Sequence, residues 1–468
     1  MRRGREILLS ATVLLFACTL GGCSATSSYK KPDVAPPSEY RGAPAPKSGA
    51  EADTLTAHLP SSTFFTDPPL RSLIERALEN NIDLQVALKN IDYAHETLNA
   101  AGLGELPSLN LVVQDTRTHP SDNGVKTNIQ DHSAALTTSW EVDIWGKIRS
   151  RNKSALATYL KTQEAARALR TRLVADVAAG YYNLVMLDAQ LEISKKSLAL
   201  ADTTLKMIGL QYDAGQVTGL AVQQQQASRQ SIALSIPLLE QKISVQENAL
   251  GILCGRMPGP VSRNPSLLNL KVSDNFSTGI PAELLQNRPD VRAAEMAVRV
   301  AHADMGEAKA GLYPTFTVTA TGSFEAFRAS KWFNAPGSLF GLVQGAVVQP
   351  LFQRGQLKAK YEQSKIRREQ SELEFRQAVL KAVVEVSDAL VRLEKIKAQE
   401  LIAVERVATL QSAASNSDLL FRSGMATYLE VIVTQTNALQ AELTLADIRR
   451  QHLEGMAELY RSLGGGWR

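Results

Sequence analysis

The 468-residue chain holds three cysteines, and two of them, Cys18 and Cys23, fall within its first 23 residues. Only Cys254 is left for the body, so no internal disulfide can staple it. Cys254 follows Leu250, Ile252 and Leu253 near a helix end and reads as a small buried packing residue. Past residue 22 no segment is apolar enough for a transmembrane helix, so a mature chain that crosses a membrane must do so as closed β structure. The six histidines, at 58, 95, 119, 132, 302 and 452, are scattered, and no pair has the spacing of metal ligands on a helix. Gly464-Gly465-Gly466 lacks a following Lys-Ser/Thr and is no phosphate loop. With no convergent acid, base or nucleophile set, the chain reads as a non-enzyme without metal or cofactor. Charge of one sign is also scarce. The net +4 falls to +2 once residues 1–22, with three Arg and one Glu, are set aside, which argues against nucleic acid as a partner.

What is present begins with an export signal. Arg2, Arg3 and Arg5 precede an apolar run from Ile7 to Phe16, and Leu20-Gly21-Gly22-Cys23 follows. That ending resembles a bacterial lipobox, which implies that residues 1–22 are removed and that Cys23 carries diacylglycerol and an N-acyl chain; Leu15-Phe16-Ala17-Cys18, with bulky Phe16 beside the cut, is the rival, and an ordinary signal peptide the alternative. Ser24, where retention in the inner membrane usually calls for Asp, points to the outer membrane. Residues 23–66 contain Pro32, Pro36, Pro37, Pro44 and Pro46 and are expected to run extended, as a tether from lipid to body.

The body repeats itself. Asn80-Asn81-Ile82-Asp83 and Asn287-Arg288-Pro289-Asp290 begin two helical stretches that end before Pro107 and Pro314, both at a spacing of 207. Tyr212-Asp213-Ala214-Gly215 with Thr218 matches Phe421-Arg422-Ser423-Gly424 with Thr427 at 209. Landmarks in register over so long a span predict one pseudo-symmetric unit: a first repeat at 67–262, a linker at 263–280 and a second repeat at 281–468.

Each repeat contains a long proline-free helical region, 148–212 and 357–421, about 95 Å at 1.5 Å per residue. Leu184, Leu191, Leu198, Leu205 and Tyr212 recur every seven residues. Leu187, Ser194, Ala201 and Ile208 form a second, smaller seam suited to close helix contact. Gly215 and Gly424 are placed for left-handed caps, and Thr218 and Thr427 for N-caps of returning helices at 220–253 and 429–463. The result is two helical hairpins with tips at 212–218 and 421–427.

Strand pairs are predicted at 108–117 and 132–143 and again at 314–325 and 339–349. Thr315, Thr317, Thr319, Thr321 and Ser323 alternate with Phe316, Val318, Ala320, Gly322 and Phe324, one hydroxyl face against one mostly apolar face. A lipid-facing barrel strand and a sandwich strand both fit that pattern. His119–Gly124 and Asn334–Gly337 supply the turns. Four strands cannot enclose a passage, so closure requires several chains.

Together these residues resemble the TolC-like outer-membrane efflux family, in its lipoprotein (NodT-type) branch. The resemblance rests on Cys23 with Tyr29-Lys30-Lys31-Pro32, on Asn287-Arg288-Pro289-Asp290 and on Tyr313-Pro314. It rests also on Trp140-Glu141-Val142-Asp143-Ile144-Trp145-Gly146-Lys147, on Gln349-Pro350-Leu351-Phe352 with Gly355, and on Leu459-Tyr460-Arg461-Ser462-Leu463-Gly464-Gly465-Gly466-Trp467. It implies an α+β membrane protein that works as a homotrimer. Long periplasmic hairpins would form a tunnel, and four strands per chain would make a twelve-stranded barrel among outer-membrane lipids. It implies a passive exit duct for small molecules, docked to a periplasmic adaptor and an inner-membrane transporter of the RND type. The channel of a type I protein secretion system and a coiled-coil adaptor lipoprotein are the alternatives.

In that family, charged side chains near the inner tips hold the entrance shut and bind cations. Asp418 and Arg422, four apart before Gly424, and Glu430 just past the turn are the matching candidates. A plain intrahelical ion pair is the competing reading of Asp418 and Arg422. Three copies of one acid about a threefold axis would attract cations. Ala221 and Val433 stand where Asp is frequent in the family, which leaves the details of the gate open. The tips, with Gly215, Thr218, Gly424 and Thr427, are the expected adaptor contacts, although the glycines could serve the turn alone.

Overall fold

A computed structural model describes residues 28–34, 37, 39–41, 60–118, 129–267, 270, 281 and 287–467. Cys23 and the His119–Gly124 turn lie outside the described residues. The first half runs α1 (Ser61–Phe64), α2 (Pro68–Asn80), α3 (Ile82–Leu103), β1 (Ser108–Thr118), β2 (Ile129–Val142), α4 (Lys147–Asp213) and α5 (Gly219–Leu253). The second runs α6 (Pro289–Ala310), β3 (Thr315–Ala326), a short 3-10 turn (Ala329–Lys331), β4 (Leu339–Val348), α7 (Gln356–Arg422) and α8 (Tyr428–Ser462). Both long helices have 67 residues and both returning helices 35, so the duplication extends to element length.

Contacts divide the chain into two units, one of residues 1–33, 90–163 and 293–376, the other of 34–89, 164–292 and 377–468. The first unit holds the sheet, antiparallel throughout in the order β1-β2-β3-β4. Its register sorts the side chains, because residues directly opposite share a face. One face carries Leu109, Leu111 and Val113, then Ala134, Leu136, Trp140 and Val142, then Phe316, Val318 and Phe324, then Leu339, Val343 and Val347. The other carries Asn110, Gln114, Ser133, Thr137, Ser139, Glu141, the hydroxyl series of β3 and Gln344. The apolar face is not covered by a second layer among the described residues: Leu109, Leu111 and Val343 are 70%, 68% and 78% exposed. That removes the sandwich reading for this unit.

β2 begins at Ile129, three residues before the predicted start, because Ile129, Gln130 and Asp131 pair with Thr118, Arg117 and Thr116. Those residues break the apolar alternation, so periodicity could not include them. At the other end, Asp143 caps α4 by accepting from the amides of Ile148 (3.0 Å) and Arg149 (2.9 Å). Trp145 stacks on Tyr313, ring centres 4.8 Å apart, and its Nε1 donates to the Pro314 carbonyl at 2.9 Å.

The described parts of the tether segment are held against the fold. In the sheet-bearing unit the Lys31 ammonium binds Glu295 at 2.7 Å, and the Arg299 guanidinium lies 5.0 Å over the Tyr29 ring. In the other unit Phe64 and Phe65, also within 23–66, are buried, and Phe64 stacks on Tyr460 at 4.4 Å. Burial of the two aromatic rings fixes the end of the segment. The linker is likewise anchored at its start: Arg263 holds Asp188 and Glu247, and the Asn264 amide donates to the Tyr181 hydroxyl.

In the helical unit the smaller seam stays buried toward the tip, while the leucine seam is buried at Leu184 and opens along its length. Ser194, Ala201 and Ile208 are 1%, 2% and 0% exposed, whereas Tyr212 on the leucine seam is open. Small side chains let backbones approach, which is why they take the inside. α5 runs through Pro237, at the position where α8 has Ala446, and so lacks one helix bond that α8 keeps.

Candidate functional site: paired hairpin tips

Both tips turn as their glycines require. Gly215 and Gly424 have φ of 74° and 75°, and the helices close with long-range caps: Gln216 N–H donates to Gln211 O and Met425 N–H to Leu420 O, each at 2.8 Å. The two tips meet through Ile208 of α4, Ala221 of α5, Phe421 of α7 and Val431 of α8, all buried in one apolar cluster. Val217, Val222, Ala426 and Tyr428 pack around it. Ala221 is fully buried. The residue that departs from the family's frequent Asp is therefore a packing residue of the joint between tips, a role that sequence alone did not reveal.

The predicted caps divide. Thr427 and Glu430 form a reciprocal capping box: the Glu430 amide donates to Thr427 Oγ1 at 3.4 Å, and the Thr427 amide donates to Glu430 Oε2 at 2.6 Å. The Thr427 backbone bond, then its hydroxyl, hold the Glu430 carboxyl below the ordinary glutamate range. Thr218 occupies the N-cap of α5 but its side chain makes no cap bond. With Ala221 in place of an acid, the amide of Ala221 turns to the Thr218 carbonyl at 3.0 Å instead.

Asp418 and Arg422 form the expected ion pair, at 2.9 Å, with the Asp418 side chain 18% exposed and that of Arg422 55%. Among the described residues Glu430 makes no bond to either of them; its carboxylate serves its own helix end. Above the tips, the hydroxyls of Ser417 and Thr434 lie 2.7 Å apart, and Gln435 Nε2 donates to Thr204 Oγ1 at 3.1 Å, tying α8 to α4.

The hairpins are anchored by one joint built twice. In the first half Asn81 Nδ2 donates to the Leu253 carbonyl at 3.0 Å, and in the second Arg288 Nη1 donates to the Ser462 carbonyl at 3.1 Å. Gly255 (φ 62°) and Gly464 (φ 89°) end the two returning helices. An added Cβ there would stand 2.3 Å from the Asn80 carbonyl and 2.8 Å from that of Asn287. Arg288, 3% exposed, also binds Asp290 (2.5 Å) and Glu385 (2.9 Å), and Arg461 binds the same Glu385 at 3.1 Å. Burial pushes the Asp290 carboxyl up, but the Arg288 guanidinium outweighs it and holds the group below the usual carboxylate range.

Paired helical hairpins leading to strands with one mostly apolar face and two open edges are the plan of a barrel channel with a helical extension. The chain belongs to the outer membrane efflux protein family, whose model matches residues 73–256 and 280–465. It is 28% identical over 454 residues to the solvent efflux pump outer membrane protein SrpC of Pseudomonas putida, covering 96% of each chain. It is 27% identical over 456 residues to the cation efflux system protein CusC of an Escherichia coli O6:H1 strain, covering 96% of this chain and 97% of that one. A crystal structure of CusC superposes with a TM-score of 0.84 at 26% identity, over 95% of this chain and all of that one. Family members are transport channels of the outer membrane, which is where this chain belongs and what it serves.

Proposed function

We propose that the chain is the passive exit duct of a tripartite efflux system and that three copies close a twelve-stranded barrel. The observation that carries this reading is the sheet. Its apolar face is continuous over four strands, its polar face would line a lumen, and both edges are open. Below the barrel the hairpins form a periplasmic tunnel that receives small molecules from an adaptor and an inner-membrane transporter of the RND type. The tips, at Gly215, Thr218, Gly424 and Thr427, meet the adaptor. Asp418 with Arg422 contributes to closing the entrance, and three copies of Asp418 favour cations there. Glu430 acts in the same gate by fixing the first turn of α8. Cys23 carries the lipid of a NodT-type lipoprotein.

Deleting the gene and following accumulation of a lipophilic dye tests the function: accumulation is expected to rise and to fall again on complementation. Unchanged dye levels together with a retained secreted protein would instead favour type I secretion. Incorporation of labelled palmitate, lost in Cys23→Ser, tests the lipid; undiminished labelling of that variant would remove it. Neutralising both Asp418 and Glu430 should change conductance and cation block in planar bilayers, and unchanged values would dismiss the gate.

A further inference from the structure

At the end of the sheet nearest α4, β2 outlasts its hairpin partner. Ser139, opposite Ser108, is the last residue paired with β1, and Trp140, Glu141 and Val142 pair only with β3. The chain before Ser108 leaves the sheet through a turn at 104–106. Beside these residues lies a cavity of about 200 Å³, lined by Glu105, Trp140, Glu141, Asp143, Ile148 and Arg149. Its charges are mixed and only partly spent. Glu141 holds the Lys147 ammonium through one oxygen at 2.9 Å, and Asp143 holds the Arg149 Nε at 3.2 Å while it caps α4. The Glu105 carboxylate has no partner among the described residues. The Arg149 guanidinium, with five N–H groups, has donors left after its bonds to Asp143.

The second repeat builds the same junction without the acids. Ser108 pairs with Ser139 and Thr315 with Val348, so β3 follows β1 by 207 residues and β4 follows β2 by 209. Trp140 and Glu105 then correspond to Gln349 and Leu312. Gln349 Nε2 donates to the Leu312 carbonyl at 3.3 Å, as Trp140 Nε1 donates to that of Glu105 at 3.0 Å. Where the first repeat has Glu105, Glu141 and Asp143, however, the second has Leu312, Pro350 and Phe352. The passage from strand to long helix forms without those carboxylates, and Glu105 makes no side-chain bond that folding would call for.

We propose that this cavity binds the headgroup of a phospholipid that carries both a primary ammonium and a phosphate; this rests on the barrel proposed above. The position fits. Trp140 belongs to the apolar face and anchors its indole N–H at the cavity, at the level where interfacial tryptophans meet headgroups. Leu106 and Leu109, both exposed, continue from there along the face that acyl chains would cover. The charges fit as well. Glu105 and the second oxygen of Glu141 take the ammonium, and the spare donors of Arg149 take the phosphate. Three carboxylates against Arg149 and Lys147 leave the site one negative charge, which disfavours a headgroup that offers phosphate alone. Carboxylates accept hydrogen bonds, so an ammonium with N–H groups suits them better than a quaternary one.

The test offers phosphatidylethanolamine, phosphatidylcholine and phosphatidylglycerol in equal amounts to the full-length protein, purified in detergent and stripped of lipid, and weighs the intact assembly by native mass spectrometry. Phosphatidylethanolamine is expected to be retained, one per chain, about tenfold over either competitor, the worth of one charge-assisted hydrogen bond. Glu105→Gln, a change at an exposed side chain, should bring it down to the level of phosphatidylcholine. Equal retention of the three lipids, or a preference that Glu105→Gln leaves intact, overturns the site. Displacement of the lipid by an equal concentration of soluble phosphoethanolamine assigns a free ligand and overturns the lipid. Insertion into vesicles is read separately. A protein that inserts and shows no lipid preference sinks the site alone, whereas one that keeps the preference and never inserts sinks the barrel and, with it, the placement of the site in a membrane.

Discussion

At the first-half tip, Ala221 stands at the third position of α5 and is buried between the two hairpins. At the second-half tip, Glu430 stands at the same position of α8 and is exposed, bonded back to Thr427. The anchoring joints differ in the same sense. Asn81 makes its bond to Leu253 with a neutral amide, whereas Arg288 makes the matching bond as part of a charged network with Asp290, Glu385 and Arg461. The copies share a backbone plan and differ at these two places: at tip and joint the first half uses packing and a neutral bond, the second uses charge. Ion pairs and caps respond to pH and salt in ways that an alanine does not, so of the two tips and the two joints those of the second half are the responsive ones.

The largest difference is expected at the joints. Arg288→Ala leaves Asp290 and Glu385 without their shared cation and should cost about 3 kcal/mol, while Asn81→Ala loses one bond to a carbonyl and the cap of α3 and should cost about 1–2 kcal/mol. Denaturant titration of the detergent-extracted protein would read both. Equal losses would mean that the network adds nothing to the joint.

Next in size is Ala221→Asp, which puts into the first-half tip the kind of charge the second half carries at Glu430. The carboxylate would be buried beside Ile208, Phe421 and Val431 without a partner, at a local cost of about 2 kcal/mol. Native-state hydrogen exchange should then speed up at both tips while the joints stay protected. Unchanged exchange at the tips would show that the cluster does not couple them.

Smaller again are the caps. Thr427→Ala should cost about 1 kcal/mol, and Thr218→Ala only a few tenths, since its side chain makes no cap bond. Smallest is the effect of pH. Glu430 has a lowered folded-state pKa, so its contribution is fully present above the ordinary glutamate range and is lost as pH falls through the lowered value. Amide exchange at the start of α8 should rise on such acidification more than at the start of α5, which has no titrating group at Ala221. Parallel behaviour of the two helix starts would refute the assignment.

Much of this architecture was legible in the sequence. The absence of proline from two long stretches and the placement of Gly215 and Gly424 set the hairpin helices to within a residue of their observed ends. Alternation located the strands where one face is apolar, and failed at Ile129–Asp131, where pairing depends on the partner strand rather than on local pattern. Asp418 with Arg422 was visible as a spacing of four. The buried role of Ala221 was not, because a small residue at a helix start carries no signal until the second hairpin is placed against it. Glu430 was visible as an acid near a turn, but its engagement with Thr427 depended on the geometry of that turn. Arg288 stood out as part of a motif, yet its partners Glu385 and Ser462 are 97 and 174 residues away.

In the proposed duct the repeated halves surround a conducting path whose narrow point is at the tips. Planar-bilayer recording of the purified full-length protein tests it most directly, comparing the unmutated chain with Ala221→Asp. Discrete conductance steps are expected from both, larger in the variant because its tips are loosened. An oligomer that inserts and yields no steps, or a variant with accelerated tip exchange and unchanged conductance, would contradict it.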